Sequence, residues 1–242
     1  MSGKLSLPSR ESGSGRSQVQ LNLSKLTPPQ NVYLSHFAQV QSTIAYLLQD
    51  DAINAPSSEI RERQLEISRK YRQRSDEIKA QIAKGGASEM DLQAEIRDRL
   101  DILVQRTEGF GWHEDLIRVY IVFGILEDSL HRVSKGLSPA KRIKIESLML
   151  DRSLDNFCHE ELSRAIEASP EISGRLAMFG RMVVADALLE VRDSVNLELV
   201  VPKPLPADTT ELAREQFKAL EPLTSELISE HTLRMDRLGL TA

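Results

Sequence analysis

Cysteine is almost missing from this chain. Cys158 stands alone among 242 residues, which excludes an intrachain disulfide and any cysteine-based zinc cluster. Aromatic residues are scarce at 5%, and there are only 12 glycines, so the aromatic-rich strands and frequent turns of a β-sandwich or barrel are excluded as well. The longest apolar run, Val119 to Leu126, falls far short of the roughly 20 residues that span a bilayer, and residues 1–27 carry no apolar segment of the kind a signal peptide needs. Basic charge is not in excess: 31 Lys+Arg against 36 Asp+Glu leave a net charge of −5, which excludes a whole-surface basic field while leaving local patches open. What remains is 40% hydrophobic and 28% charged, enough to bury the core of one ordinary domain. These balances predict a soluble, reduced, cytoplasmic chain with no membrane contact.

The punctuation is that of a helical protein. Residues 1–27 are rich in Ser and Gly, with four basic residues against Glu11, and read as a disordered tail ahead of a helical domain over 28–242. Val32, Leu34, Phe37, Ile44 and Leu47 form one apolar face over 30–50, broken by Asp50-Asp51. Ile60, Ile67, Tyr71, Ile78 and Ile82 give a thin stripe over 58–84, which Gly85-Gly86 ends; Ser88 and Asp91 cap a helix over 89–106. Ser138-Pro139 and Ser169-Pro170 place an N-cap before proline at the first helical position, opening helices over 139–167 and 171–194. A proline-punctuated linker, 200–206, precedes a helix over 208–237 that Asp208 and Glu211 cap and Pro222 should kink. Segments 114–130 and 175–191 are apolar nearly all round, the mark of helices at the centre of a bundle. The fold class is all-α.

Several stretches carry a family resemblance. Trp112-His113-Glu114-Asp115-Leu116-Ile117-Arg118-Val119-Tyr120, Ala165-Ile166-Glu167-Ala168-Ser169-Pro170, Gly174-Arg175-Leu176-Ala177-Met178-Phe179-Gly180-Arg181 and the ending from Glu230-His231 to Leu240 are similar to stretches of the tRNA hydroxylase-like ferritin-like proteins. Leu48-Gln49-Asp50-Asp51-Ala52 and Ala55-Pro56 fit the link between that family's first two helices. The resemblance covers roughly residues 30–240. It implies a ferritin-like antiparallel four-helix bundle with additional C-terminal helices. It also implies a di-iron centre held by a carboxylate from each of two helices and Glu-x-x-His from each of the other two. The chain departs from that pattern: alignment sets Gln41 and Phe123 at the lone carboxylates, Ser68 and Tyr71 at the first pair, and Asp151 and Leu154 at the second. Only Asp151 keeps a ligand type, so the alignment implies a scaffold with a degenerate metal site and no cofactor.

Folding 139–167 and 171–194 as a hairpin about residue 169.5 sets Asp151 and Asp155 opposite Asp186 and Glu190, with Arg118, Arg152 and Arg181 as counter-charges. Asp151, Asp186 and Glu190 are the candidate ligands of a carboxylate-only magnesium or manganese site, against a plain salt-bridged surface. His159 falls near His113 and Glu114, a second candidate cation cluster; His131 reads as surface, and His36 and His231 have no evident partner. Cys158 beside His159 points about 100° away from it on a helix, so a buried structural thiol is the better reading than a nucleophile. The densest basic patch, Arg69-Lys70-Tyr71-Arg72-Gln73-Arg74, lies in a segment with a net charge of +3 (58–84). It reads as an RNA-phosphate contact or as a solvated face with pairs such as Glu66–Lys70.

Three functions follow. The chain is a non-catalytic ferritin-like module that binds RNA or a protein partner, an active di-iron tRNA-modifying hydroxylase, or a structural docking protein. A homo-oligomer is open under each.

Overall fold

The computed structural model describes residues 23–82, 86–197 and 209–242, and among them there is no strand. The order is α1 (Leu23–Leu26), α2 (Gln30–Asp50), α3 (Ser58–Lys79), α4 (Gly86–Arg106) and α5 (Trp112–Arg118), then a π-helical turn (Val119–Phe123) running into α6 (Gly124–Val133). After these come α7 (Pro139–Leu148), α8 (Ser153–Ala168), α9 (Pro170–Met182), α10 (Val184–Ser194) and α11 (Thr209–Arg237).

The first hairpin shows why the sequence folds this way. Apolar residues of α2 recur at helical spacing, and Leu34, Phe37, Ile44 and Leu48 are fully enclosed. Each such burial stabilises the fold by about 1.5–3 kcal/mol. Ser57 caps α3 by accepting the amide of Ile60 at 3.2 Å. The two helices are then zipped by polar side chains of α3 onto carbonyls of α2: Gln64 to Leu48 (2.9 Å), Ser68 to Ala45 (2.7 Å) and Ser75 to Ala38 (2.8 Å). This antiparallel ladder sets Tyr71 at the height of Gln41. The rod α5–π–α6 packs on α2 and is buried along its length, from Leu116 through Phe123 to Leu130. Helix α8 closes the fourth side against α3 and α5, and α9, α10 and α11 wrap the rest.

Several expectations need correction. The tail does not extend to residue 27: α1 buries Leu26, Thr27 donates to the carbonyl of Val133 at 2.6 Å, and the Leu26 carbonyl accepts the amide of Asn196 at 2.9 Å. The single helix expected over 139–167 is two, because Asp151 accepts the amide of Ser153 (2.8 Å) and also bonds its hydroxyl (3.0 Å), turning the chain between α7 and α8. The helix over 171–194 is also interrupted, at Val183, and only one face of it is core: Met178, Met182 and Leu189 are exposed. Pro222 lies within a continuous α11, where Thr224 braces the local backbone by bonding the carbonyl of Leu220 at 3.1 Å. Ser169 caps Ile172 as the pattern requires, whereas Ser138 makes no capping bond. Asp208, the 200–206 linker and the Ser88 side chain lie outside the described residues.

Candidate functional site

Where α2, α3 and α6 converge, one carboxylate gathers the neighbouring side chains. Gln41 donates to Glu127 Oε1 at 2.9 Å, and the Tyr71 hydroxyl donates to Oε2 across a longer 3.4 Å. Glu127 makes no ion pair among the described residues. Burial raises its pKa, an effect that the Gln41 hydrogen bond partly opposes. Burial also drives the Tyr71 hydroxyl well above the usual phenol range, with the Glu127 charge adding to the shift. Cys158 of α8 is fully buried beside this group, and burial holds its thiol well above its ordinary pKa. It is an enclosed thiol, as expected.

Glu127 opens on a cleft of about 430 Å³ between α3, the π turn, α6, the α7–α8 turn and α11. The charged walls are mostly paired. Arg74 bonds Asp151, Arg234 bonds Asp128 at 2.7 Å, Arg237 bonds Asp155 at 3.3 Å, and Arg142 lies 3.7 Å from Glu146. Helix α11 supplies two of those arginines. It approaches so closely that a Cβ on Gly124 would sit 2.9 Å from Arg234 Nε, so glycine is what admits the guanidinium there. Tyr120, in the π turn, is 3% exposed, and its hydroxyl finds no partner among the described residues; burial and then Asp155 push it up to about 12.

The candidate ligands of a hard cation do not share one place. Burial would raise the Asp151 carboxyl, but the Ser153 bonds and Arg74 outweigh it and hold the group low. Asp186 lies on α10, 3.6 Å from Arg106, and Glu190 is enclosed against His36 (3.0 Å) and Arg99 (3.3 Å). The hairpin register failed because it assumed unbroken helices; the breaks at 149–152 and 183 send α10 to α4 and α6 instead of to α8. Of the expected counter-charges, Arg118 pairs with Asp115 (2.8 Å), Arg181 bonds Thr241, and Arg152 lines the cleft. The second cluster also separates. Glu114 pairs with Arg175 (2.8 Å), His159 meets the Arg237 carbonyl (3.1 Å), and His113 lies edge-on to Trp112. His131 is exposed as expected, but His36 does have a partner, Glu190.

A di-iron centre, which the ferritin-like resemblance implies, needs carboxylates and histidines from four helices aimed at one point. The residues present do not fit it. At the height of Gln41 and Tyr71 the third-helix side chain is Glu127, one turn beyond Phe123, which is fully buried as hydrocarbon. That corrects the alignment in one helix. Even so, Glu127 is flanked by an amide, a phenol, a thiol and Leu154, and no group of three His, Cys, Asp or Glu side chains among the described residues is placed to hold a metal. Sequence reasoning missed Glu127, although a lone acid on the otherwise apolar face of 114–130 was the available signal.

A family model described as "Ferritin-like domain, actinomycetes" matches residues 38–199. No curated protein matches the chain significantly. No helix among the described residues is long and apolar enough to cross a membrane.

Proposed function

This chain belongs to the actinomycete ferritin-like domain family, and from that premise we propose that it is a ferritin-like scaffold without a di-iron centre, acting by binding rather than by oxidation. The motifs around Trp112, Ser169 and Glu230 support kinship with the tRNA hydroxylase-like branch. The observation that carries the non-catalytic reading is the donor set around Glu127: one carboxylate held by Gln41 and Tyr71 takes the place of a converging ligand shell.

The test is elemental analysis after anaerobic reconstitution with ferrous iron. Background iron in the wild-type chain is expected. A stoichiometric pair of irons, accompanied by ligand-to-metal absorption, overturns the reading and restores the hydroxylase.

Of the partners, the α3 face favours RNA. Lys70 is engaged with Glu66 at 3.0 Å, but Arg69 and Arg72 are exposed and make no ion pair among the described residues. Binding to transfer RNA should weaken as salt rises and fall further in an Arg69→Ala, Arg72→Ala variant. Salt-independent binding, or an unaffected variant, would leave protein docking as the better reading.

A further inference from the structure

We propose that the cleft beside Glu127 is a binding site for a small zwitterion of the amino-acid type, with an apolar side chain. Ion pairs occupy Arg74, Asp151, Asp128, Asp155 and Glu146, as well as the charge of Arg234. Among the charged groups lining the cleft, one carboxylate, Glu127, and one guanidinium, Arg152, have no ionic partner among the described residues. A single free charge of each sign is the complement of a molecule carrying an ammonium and a carboxylate.

Two further groups point the same way, and both are more than nine-tenths buried. The Tyr120 hydroxyl and Nη1 of Arg234 belong to residues lining the cleft and find no hydrogen-bond partner among the described residues. Unpartnered buried polar atoms are rare because each costs about 1–3 kcal/mol of desolvation. Both can donate to a carboxylate, while Glu127 accepts from an ammonium. Glu127, Tyr120 and Arg234 all line this one cleft, so one small molecule can meet both poles. The apolar part of the lining is Val119, Met149, Leu150 and Leu154. The volume, about 430 Å³, sits within the usual range of small-ligand sites, roughly 300–1,000 Å³. The assignment is to binding.

This inference rests on the reading of the site as metal-free, and the test separates the two. Isothermal titration calorimetry on the full chain uses L-leucine, L-methionine and L-phenylalanine, then the two halves of leucine, 3-methylbutylamine and 4-methylpentanoate. Iron is measured on the same sample. At least one amino acid should bind, and about tenfold tighter than either half. Glu127→Gln should weaken the zwitterion and the amine by about tenfold, or about 1.4 kcal/mol, and leave the acid unchanged. Tyr120→Phe, which keeps the ring and its packing, should weaken the acid and the zwitterion but not the amine. An iron-free sample that binds none of the three amino acids, or binds the halves as tightly as the whole, overturns this inference and leaves the scaffold reading standing. An iron-loaded sample overturns both. Circular dichroism of each variant establishes that a lost signal reflects binding rather than folding.

Discussion

Helix α2 meets a carboxylate on either side of Phe37: Glu190 reaches His36, and Glu127 reaches Gln41. Around Glu190 the chain places an imidazole, His36, and a guanidinium, Arg99, and buries the carboxylate among α2, α4 and α10. Around Glu127 it spends only a neutral amide and a phenol, and leaves one side open to the cleft. Desolvating a carboxylate costs several kcal/mol unless partners offset it. The closed cluster answers that cost from within the fold. The open one answers it only in part, which is how a binding site differs from a structural pair.

Breaking the closed cluster gives the largest expected effect. Glu190→Ala removes the carboxylate that His36 and Arg99 share, leaving Arg99 only its Glu95 pair at 3.3 Å, and should cost about 2 kcal/mol in urea unfolding at neutral pH. A cost below that of a surface substitution would dissolve the contrast between the two carboxylates.

Next in size is a carboxylate outside both clusters. Burial pushes Asp51 up to about 6 despite the Asn54 hydrogen bond. A carboxyl whose folded pKa exceeds its unfolded value near 3.8 favours the fold while protonated. Its contribution is present below about pH 4 and lost as pH rises through 6. Asp51→Asn should flatten that decline by about 1 kcal/mol once solvent screening is allowed for. Parallel stability-versus-pH curves for variant and wild type would count against it.

The smallest effect sharpens the comparison most. Glu127→Gln should leave stability at pH 7 within about 0.5 kcal/mol of wild type or raise it slightly, because the lone charge is desolvated and unpaired. Since the folded pKa of Glu127 is raised, wild type should gain on the variant as pH falls into the carboxylate range, which a thermal-melting series at several pH values would show.

How much of this could be read from the residues depends on where the information is local. The end of α2 was legible because Asp50-Asp51 breaks a clean apolar period, and the α9 start because Ser169-Pro170 carries its own cap. The Glu66–Lys70 pair was legible from spacing alone. The interruptions at 149–152 and at 183 were not, since an Asp that bonds the next turn's backbone looks in sequence like any other helical acid. Losing those two breaks displaced every cross-helix pairing counted through them, which is why Asp151 and Asp186 were set side by side. Glu127 was passed over for a different reason. Phe123 occupies the same helix face one turn earlier, and only the Gln41 and Tyr71 contacts decide which of the two stands at their height.

The π turn over Val119–Phe123 has a consequence for how one rod serves two sets of neighbours. Before it, α5 is seated against α8 and α9; after it, α6 is seated against α2, α10 and α11. Each added residue advances an α-helix by about 100°, and a wider i→i+5 turn takes up one residue without passing that rotation on. The turn therefore works as a phase adjuster, letting the two halves of a continuous axle be clocked independently. Remove one residue from it and the rod could not keep both halves seated: holding α5 against α8 and α9 would turn Leu130 away from Tyr33 and Glu127 out of line with Gln41.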